Sequence, residues 1–191
     1  LTIEEILSDV ALRLHTAGIP YAVGGSLASS AWGQMRYTND ADIAIKIGLA
    51  TAPALSKEFR EPYLLNEQEL ADAMASEDDF RSVQLLHMDE AFKIDLFVLK
   101  DGPYENSEID RARAIEVSLG VQIRFCAPEN IVISKLRWYD LGNRISDRQW
   151  SDIVQVLEIQ KGDLDESYLD EWTIHYHVKE LLDAARAQTF G

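Results

Sequence analysis

Cysteine is almost missing from this sequence: Cys126 stands alone, so no internal disulfide can brace the fold. Its neighbours Ile123, Phe125 and Ala127 are apolar, which predicts a buried, inert thiol and no catalytic role. No apolar run approaches the roughly 20 residues that a membrane-spanning helix needs. The opening stretch LTIEEILSDV carries acids where a secretory signal would carry bases. These absences predict a soluble, cytoplasmic protein with no membrane partner. Basic residues are scarce too, 18 against 33 acidic ones, and the formal charge of -15 disfavours broad, unspecific nucleic-acid binding. Solubility alone accounts for much of that acidity, and a local basic patch could still grip one RNA end. Repeats, low-complexity tracts and linkers rich in Pro, Gly or Ser are also lacking.

What remains is 191 residues, enough for one full-sized domain or a core with a small appended lobe. Thr2 followed by Glu5 fits a capping box, and Ile6, Leu7, Val10, Ala11 and Leu14 recur at helical spacing up to a stop at Gly18. Residues 19–23 read as a short strand running into Gly24-Gly25-Ser26, and residues 27–32 as a short helix ending at Gly33. A second strand is expected over 42–47, with helices over 53–59 and 67–75 divided by Pro62. Residues 82–88 and 92–99 flank Asp89-Glu90-Ala91 as a hairpin would, and 114–118 and 121–126 flank Leu119-Gly120 in the same way. From Pro128 onward the pattern is helical, with Ser146 and Gln149 as a second capping-box candidate and short helices over 168–174 and 178–187. The expectation is an α+β chain: a mixed sheet flanked by helices over 1–126, then a helical lobe over 127–191 packed on it.

Three acids stand out. Asp40 and Asp42, two apart at the start of a strand, project from one face with their side chains roughly 7 Å apart. Both can converge on a hard cation such as Mg²⁺, which takes one or two carboxylates together with phosphate and water. Alone, the pair reads as a solvated loop acid followed by a strand acid. Asp95 is more telling, because it sits in the apolar strand Phe92-Lys93-Ile94-Asp95-Leu96-Phe97-Val98-Leu99, where a charge needs a partner or a metal. Lys93 shares its face, so an internal ion pair competes with a metal-binding role. A third acid on a neighbouring strand would also complete a two-metal site. Gly24, Gly25 and Ser26, at a strand-to-helix turn, offer backbone N–H groups and a hydroxyl to phosphate.

The run Gly-Gly-Ser-(x)₆-Gly-x-x-Arg-x-Thr-x-Asp-x-Asp, from Gly24 to Asp42, resembles the first motif of the DNA polymerase beta-like nucleotidyltransferases. The likeness is to the small bacterial branch that includes the abortive-infection type nucleotidyltransferase toxins. Lys93-Ile94-Asp95, Lys135, and Arg148 with Asp152 stand at matching places in the order. The resemblance implies a nucleotidyltransferase-type sheet, and an enzyme that moves NMP from an NTP such as ATP to an acceptor hydroxyl and releases pyrophosphate. It implies Mg²⁺ or Mn²⁺ held by Asp40, Asp42 and Asp95, and triphosphate held by Gly24, Gly25, Ser26, Arg36 and Lys135. Arg148 and Asp152 would line the same cleft. Bland alternatives stay open: Arg36 pairing with Asp40, Lys135 as an ordinary helix-surface lysine, Arg148 with Asp152 as a routine helix pair. The acceptor is a tRNA end, as in a toxin with a cognate antitoxin, or an antibiotic, another small molecule or a protein hydroxyl. A nucleotide-binding module without turnover is the rival class.

Overall fold

Thr2 accepts a hydrogen bond from the Glu5 amide while the Glu5 carboxylate accepts from the Thr2 amide, so the expected capping box opens α1 (Ile3–Thr16). Its apolar stripe, Ile6, Leu7, Val10, Ala11 and Leu14, is buried. Gly18, at φ +67°, turns the chain out of the helix. The structure is a computed structural model and describes residues 1–34, 38, 40–118 and 120–190, without the side chains of Ser118 and Phe190.

In chain order there follow β1 (Tyr21–Val23), α2 (Gly25–Trp32), β2 (Asp40–Ile45), α3 (Ala52–Glu58), β3 (Tyr63–Leu65), α4 (Glu67–Ala75), β4 (Ser82–His87) and β5 (Phe92–Val98). Next come α5 (Pro103–Arg111), β6 (Arg113–Ser118), β7 (Val121–Phe125), α6 (Pro128–Leu141), α7 (Asp147–Ile159), α8 (Glu166–His175) and α9 (Lys179–Phe190). Among the described residues the strands form one seven-stranded sheet, ordered β3-β4-β5-β2-β1-β7-β6. The β2–β5 and β1–β7 pairs are parallel and the others antiparallel, so the mixed sheet is as expected. None of the described helices is long and apolar enough to cross a membrane.

Two elements were not expected. β3 supplies a three-residue edge strand directly after Pro62, where the sequence shows only a breaker between two helices. α5 begins at Pro103 after Gly102 and buries Tyr104, Glu108 and Ile109. The second strand also begins two residues earlier than expected, at Asp40.

Contacts divide the chain into two units, one made of Leu1–Gly24 and Thr38–Phe125, the other of Gly25–Tyr37 and Cys126–Gly191. In the first, β5 alternates strictly: Phe92, Ile94, Leu96 and Val98 are buried and the residues between them are not. Each such burial stabilises by about 1.5–3 kcal/mol. In the second, α6 is buried nearly all round, Ile131, Val132, Ile133 and Leu136 included, and packs with α2, α7 and α8. Gly33 ends α2 at close quarters, because a Cβ there would lie 2.8 Å from the Ser29 carbonyl oxygen and 3.5 Å from Val156. The Trp32 indole donates to the Cys126 carbonyl at 2.7 Å, and Cys126 is buried as its neighbours predict.

Candidate functional site

The acids reach one place because of strand alternation and strand register. Along β2, exposed Asp40 and half-buried Asp42 alternate with buried Ala41. Along β5, half-buried Lys93 and Asp95 alternate with buried Ile94 and Leu96. The parallel pairing sets Asp40 beside Lys93 and Asp42 beside Asp95. Side chains in register leave the same face, so the sheet unit gathers three carboxylates and one ammonium on a single surface.

Lys93 Nζ lies 2.9 Å from Asp95 Oδ2, with the two side chains 43% and 22% exposed. The hydrogen bond to Asp95, aided by the charges of Asp95, Asp40 and Asp42, holds the Lys93 ammonium above its usual pKa despite partial desolvation. Lys93 therefore stays charged, and three carboxylates against one ammonium leave surplus negative charge. Two neighbours that sequence reasoning missed belong to this face. Thr38, buried, donates its hydroxyl to Asp40 Oδ1 at 2.6 Å. Gln84 on β4 stands in register with Asp95. Thr38 was legible at spacing two before Asp40; Gln84 needed the hairpin register.

Among the described residues no group of three or more His, Cys, Asp or Glu side chains is already assembled to hold a metal ion. The physical reason is local: Thr38 takes Asp40 and Lys93 takes Asp95. The donor set still fits a hard cation, since Mg²⁺ binds through one or two carboxylates plus substrate oxygens and does not require an all-protein cage.

The glycine turn is where sheet unit passes into helical unit. The Gly24 amide donates to the Asp42 carbonyl at 2.8 Å, tying the turn to the acid-bearing strand and using that donor. Gly25 sits at φ +53°, a conformation that strains any residue with a Cβ. α2 opens at Gly25, so the amides of its first turn face out of the helix end at this turn.

In the helical unit, Lys135 and Asp152 are brought together. Lys135 Nζ is 2.8 Å from Asp152 Oδ2 and 3.0 Å from Gln149 Oε1, and both charged side chains are under a tenth exposed. The surface-lysine alternative is thus corrected: α6 has almost no solvent face at that position. Arg148 is exposed. Arg36 lies outside the described residues.

No family profile and no curated sequence matches the chain. Solved structures do. The crystal structure of ANT(2")-Ia in complex with adenylyl-2"-tobramycin is similar with a TM-score of 0.58 and 15% identity, over 90% of this chain and 97% of that one. The solution structure of the antibiotic-resistance factor ANT(2'')-Ia gives a TM-score of 0.56 and 12% identity, over 96% and 95%. An antigenic nucleotidyltransferase-like protein from Paracoccidioides brasiliensis gives 0.53 and 17%, over 95% and 90%. At these identities the likeness fixes the architecture alone, and the chain has the α+β fold of these nucleotidyltransferase structures.

Proposed function

We propose that this protein transfers a nucleoside monophosphate from an NTP to an acceptor hydroxyl and releases pyrophosphate. One observation carries the reading: Asp42 and Asp95 stand in register on adjacent parallel strands, flanked by Asp40 and Lys93, on a face with surplus negative charge. A structural ion pair alone would need one acid. The acceptor oxygen attacks the α-phosphorus, its proton passes to the Asp95 carboxylate, and the bond from the α-phosphorus to the bridging oxygen breaks as pyrophosphate leaves. Lys93, hydrogen-bonded to Asp95, holds its carboxylate oriented before the attack. The first-turn amides of α2 and the Ser26 hydroxyl hold the triphosphate, and Gly24 and Gly25 let the backbone come close. Arg36 is a further proposed phosphate contact. Mg²⁺ or Mn²⁺ held by Asp40, Asp42 and Asp95 would neutralise phosphate charge and polarise the acceptor oxygen. Lys135, buried 2.8 Å from Asp152, is assigned to the architecture of the helical unit.

For the acceptor, a formal charge of -15 attracts small cations and repels tRNA, which favours a small, positively charged alcohol. The similar ANT(2")-Ia structure, which holds an adenylylated tobramycin, supports that choice. Incubation with α-labelled NTPs, Mg²⁺ and separate pools of aminoglycosides, tRNA and proteins is expected to label the aminoglycoside pool. Label in tRNA would instead support the toxin reading and a search for an antitoxin. Asp42→Asn and Asp95→Asn are each expected to remove transfer while circular dichroism stays unchanged; full activity in either, or no labelled pool with wild type, overturns the proposal.

A further inference from the structure

The sheet unit carries a concavity at the opposite ends of the strands that bear the acids. Its volume is about 790 Å³, within the range of small-molecule sites. It lies where β2 and β5 finish, between α3 and α4. Five residues separate Asp42 from Ile47 at its edge, on the order of 16 Å of extended chain.

The walls are aliphatic: Ile47, Leu49, Pro53, Leu70, Met74 and Val98 line it, and among the described residues no aromatic ring does. Stacking of a flat ligand therefore has nothing to work with, whereas a flexible chain meets branched side chains and an adaptable methionine. Leu49 is 87% exposed, an apolar side chain left in water at this site.

The polar groups narrow the choice of ligand. Arg81 lines the cavity, but four of its five N–H groups donate to the carbonyls of Val98, Leu99, Met74 and Ser76 at 2.6–3.2 Å, so it is chiefly a tie that fixes the floor. Lys57 and Arg60 are different. Both are exposed, three residues apart at the end of α3, and neither side chain has an ion-pair partner among the described residues. Two unpaired cations are conspicuous in a chain with 33 acids and 18 bases.

Phosphate is not what this place is built for. The α3 amides of Ala52, Ala54 and Leu55 already donate to Gly48 or Thr51, and Asn66 caps Gln68 and Glu69 at the start of α4. No amide cradle remains at these ends, so an anionic head must be met by side chains, and with Glu67 on the same wall Lys57 and Arg60 leave one net positive charge, which a single carboxylate balances. Glu67, also on the wall, repels that head toward them.

We propose that this cavity binds an aliphatic carboxylate of medium chain length, its tail against Ile47, Leu70 and Met74 and its head on Lys57 and Arg60. The site is independent of the acid face and of the reaction assigned to it. Titration calorimetry of the whole protein with sodium decanoate, with decanol and decylamine as comparators, tests it. Saturable one-to-one binding of decanoate is expected, at least tenfold tighter than either comparator. The double variant Lys57→Glu/Arg60→Glu should weaken it at least tenfold, and Ala71→Trp, which fills the mouth, should abolish it, with thermal midpoints unchanged because these residues are exposed. No saturable decanoate binding, undiminished binding in the charge-reversed variant, or tighter binding of decylamine through Glu67 overturns the proposal.

Discussion

Lys93 and Lys135 each hold an aspartate oxygen within 3 Å, yet one pair lies on an open sheet face and the other in the interior of a helical unit. Lys135 reaches both Asp152 and Gln149, and the two charged side chains are under a tenth exposed. Lys93 has three carboxylates around it and solvent beside it. A dry, buried pair is closed to a ligand arriving from solvent. A wet pair with surplus carboxylates beside it is open to one, and burial draws that distinction where the types and spacing of the residues do not.

The contrast can be broken most sharply at its dry end. Lys135→Met removes the ammonium beside the buried Asp152 carboxylate and should cost about 3–5 kcal/mol in urea unfolding, most of it recovered in Lys135→Met/Asp152→Leu. A cost below about 1 kcal/mol would mean the pair does not hold α6 to α7. Gly33→Ala, in the same unit, should cost about 1–3 kcal/mol, because its Cβ meets the Ser29 carbonyl at 2.8 Å. At the wet end, Lys93→Met should change stability by no more than about 1 kcal/mol, since solvent screens a pair this exposed. The smallest effect is on the rim of the helical unit. The hydrogen bond from Arg186 holds the Asp170 carboxyl below its usual pKa. Its contribution is therefore complete above about pH 4 and lost as pH falls through the lower folded value. Arg186→Met should flatten that acid limb by only a few tenths of a kcal/mol, because Asp170 is 46% exposed.

The hairpin of β4 and β5 was legible because alternation and a short loop coincide, with Ala91 taking the positive φ the loop demands. β3 was not, since three residues after a proline carry too little periodicity to register. α5 had a readable start, Gly102-Pro103, but its buried Glu108 disguised the apolar face. That Asp40 and Asp42 share one face of a strand could be read from spacing alone. That Asp95 lies beside Asp42 could not, because the parallel pairing of β2 with β5 depends on which strands become neighbours, a matter of topology and not of local pattern. The burial of Lys135 was hidden for a similar reason: α6 is covered by several helices, and a single sequence shows one amphipathic face at a time.

The assignment of α2 to the helical unit has a practical consequence for anyone dissecting the gene. The polypeptide passes between the units three times, at 24–25, 37–38 and 125–126, so no single stop codon or start site separates them. A product ending at Phe125 would retain α2 but lose α6 and α7, the helices against which it packs. A product beginning at Cys126 would carry those two helices with an uncovered flank. Expression of either half alone should yield insoluble or protease-sensitive material. The frugal way to split this molecule is to excise residues 25–37 from the first half and join them, through a linker, ahead of residue 126.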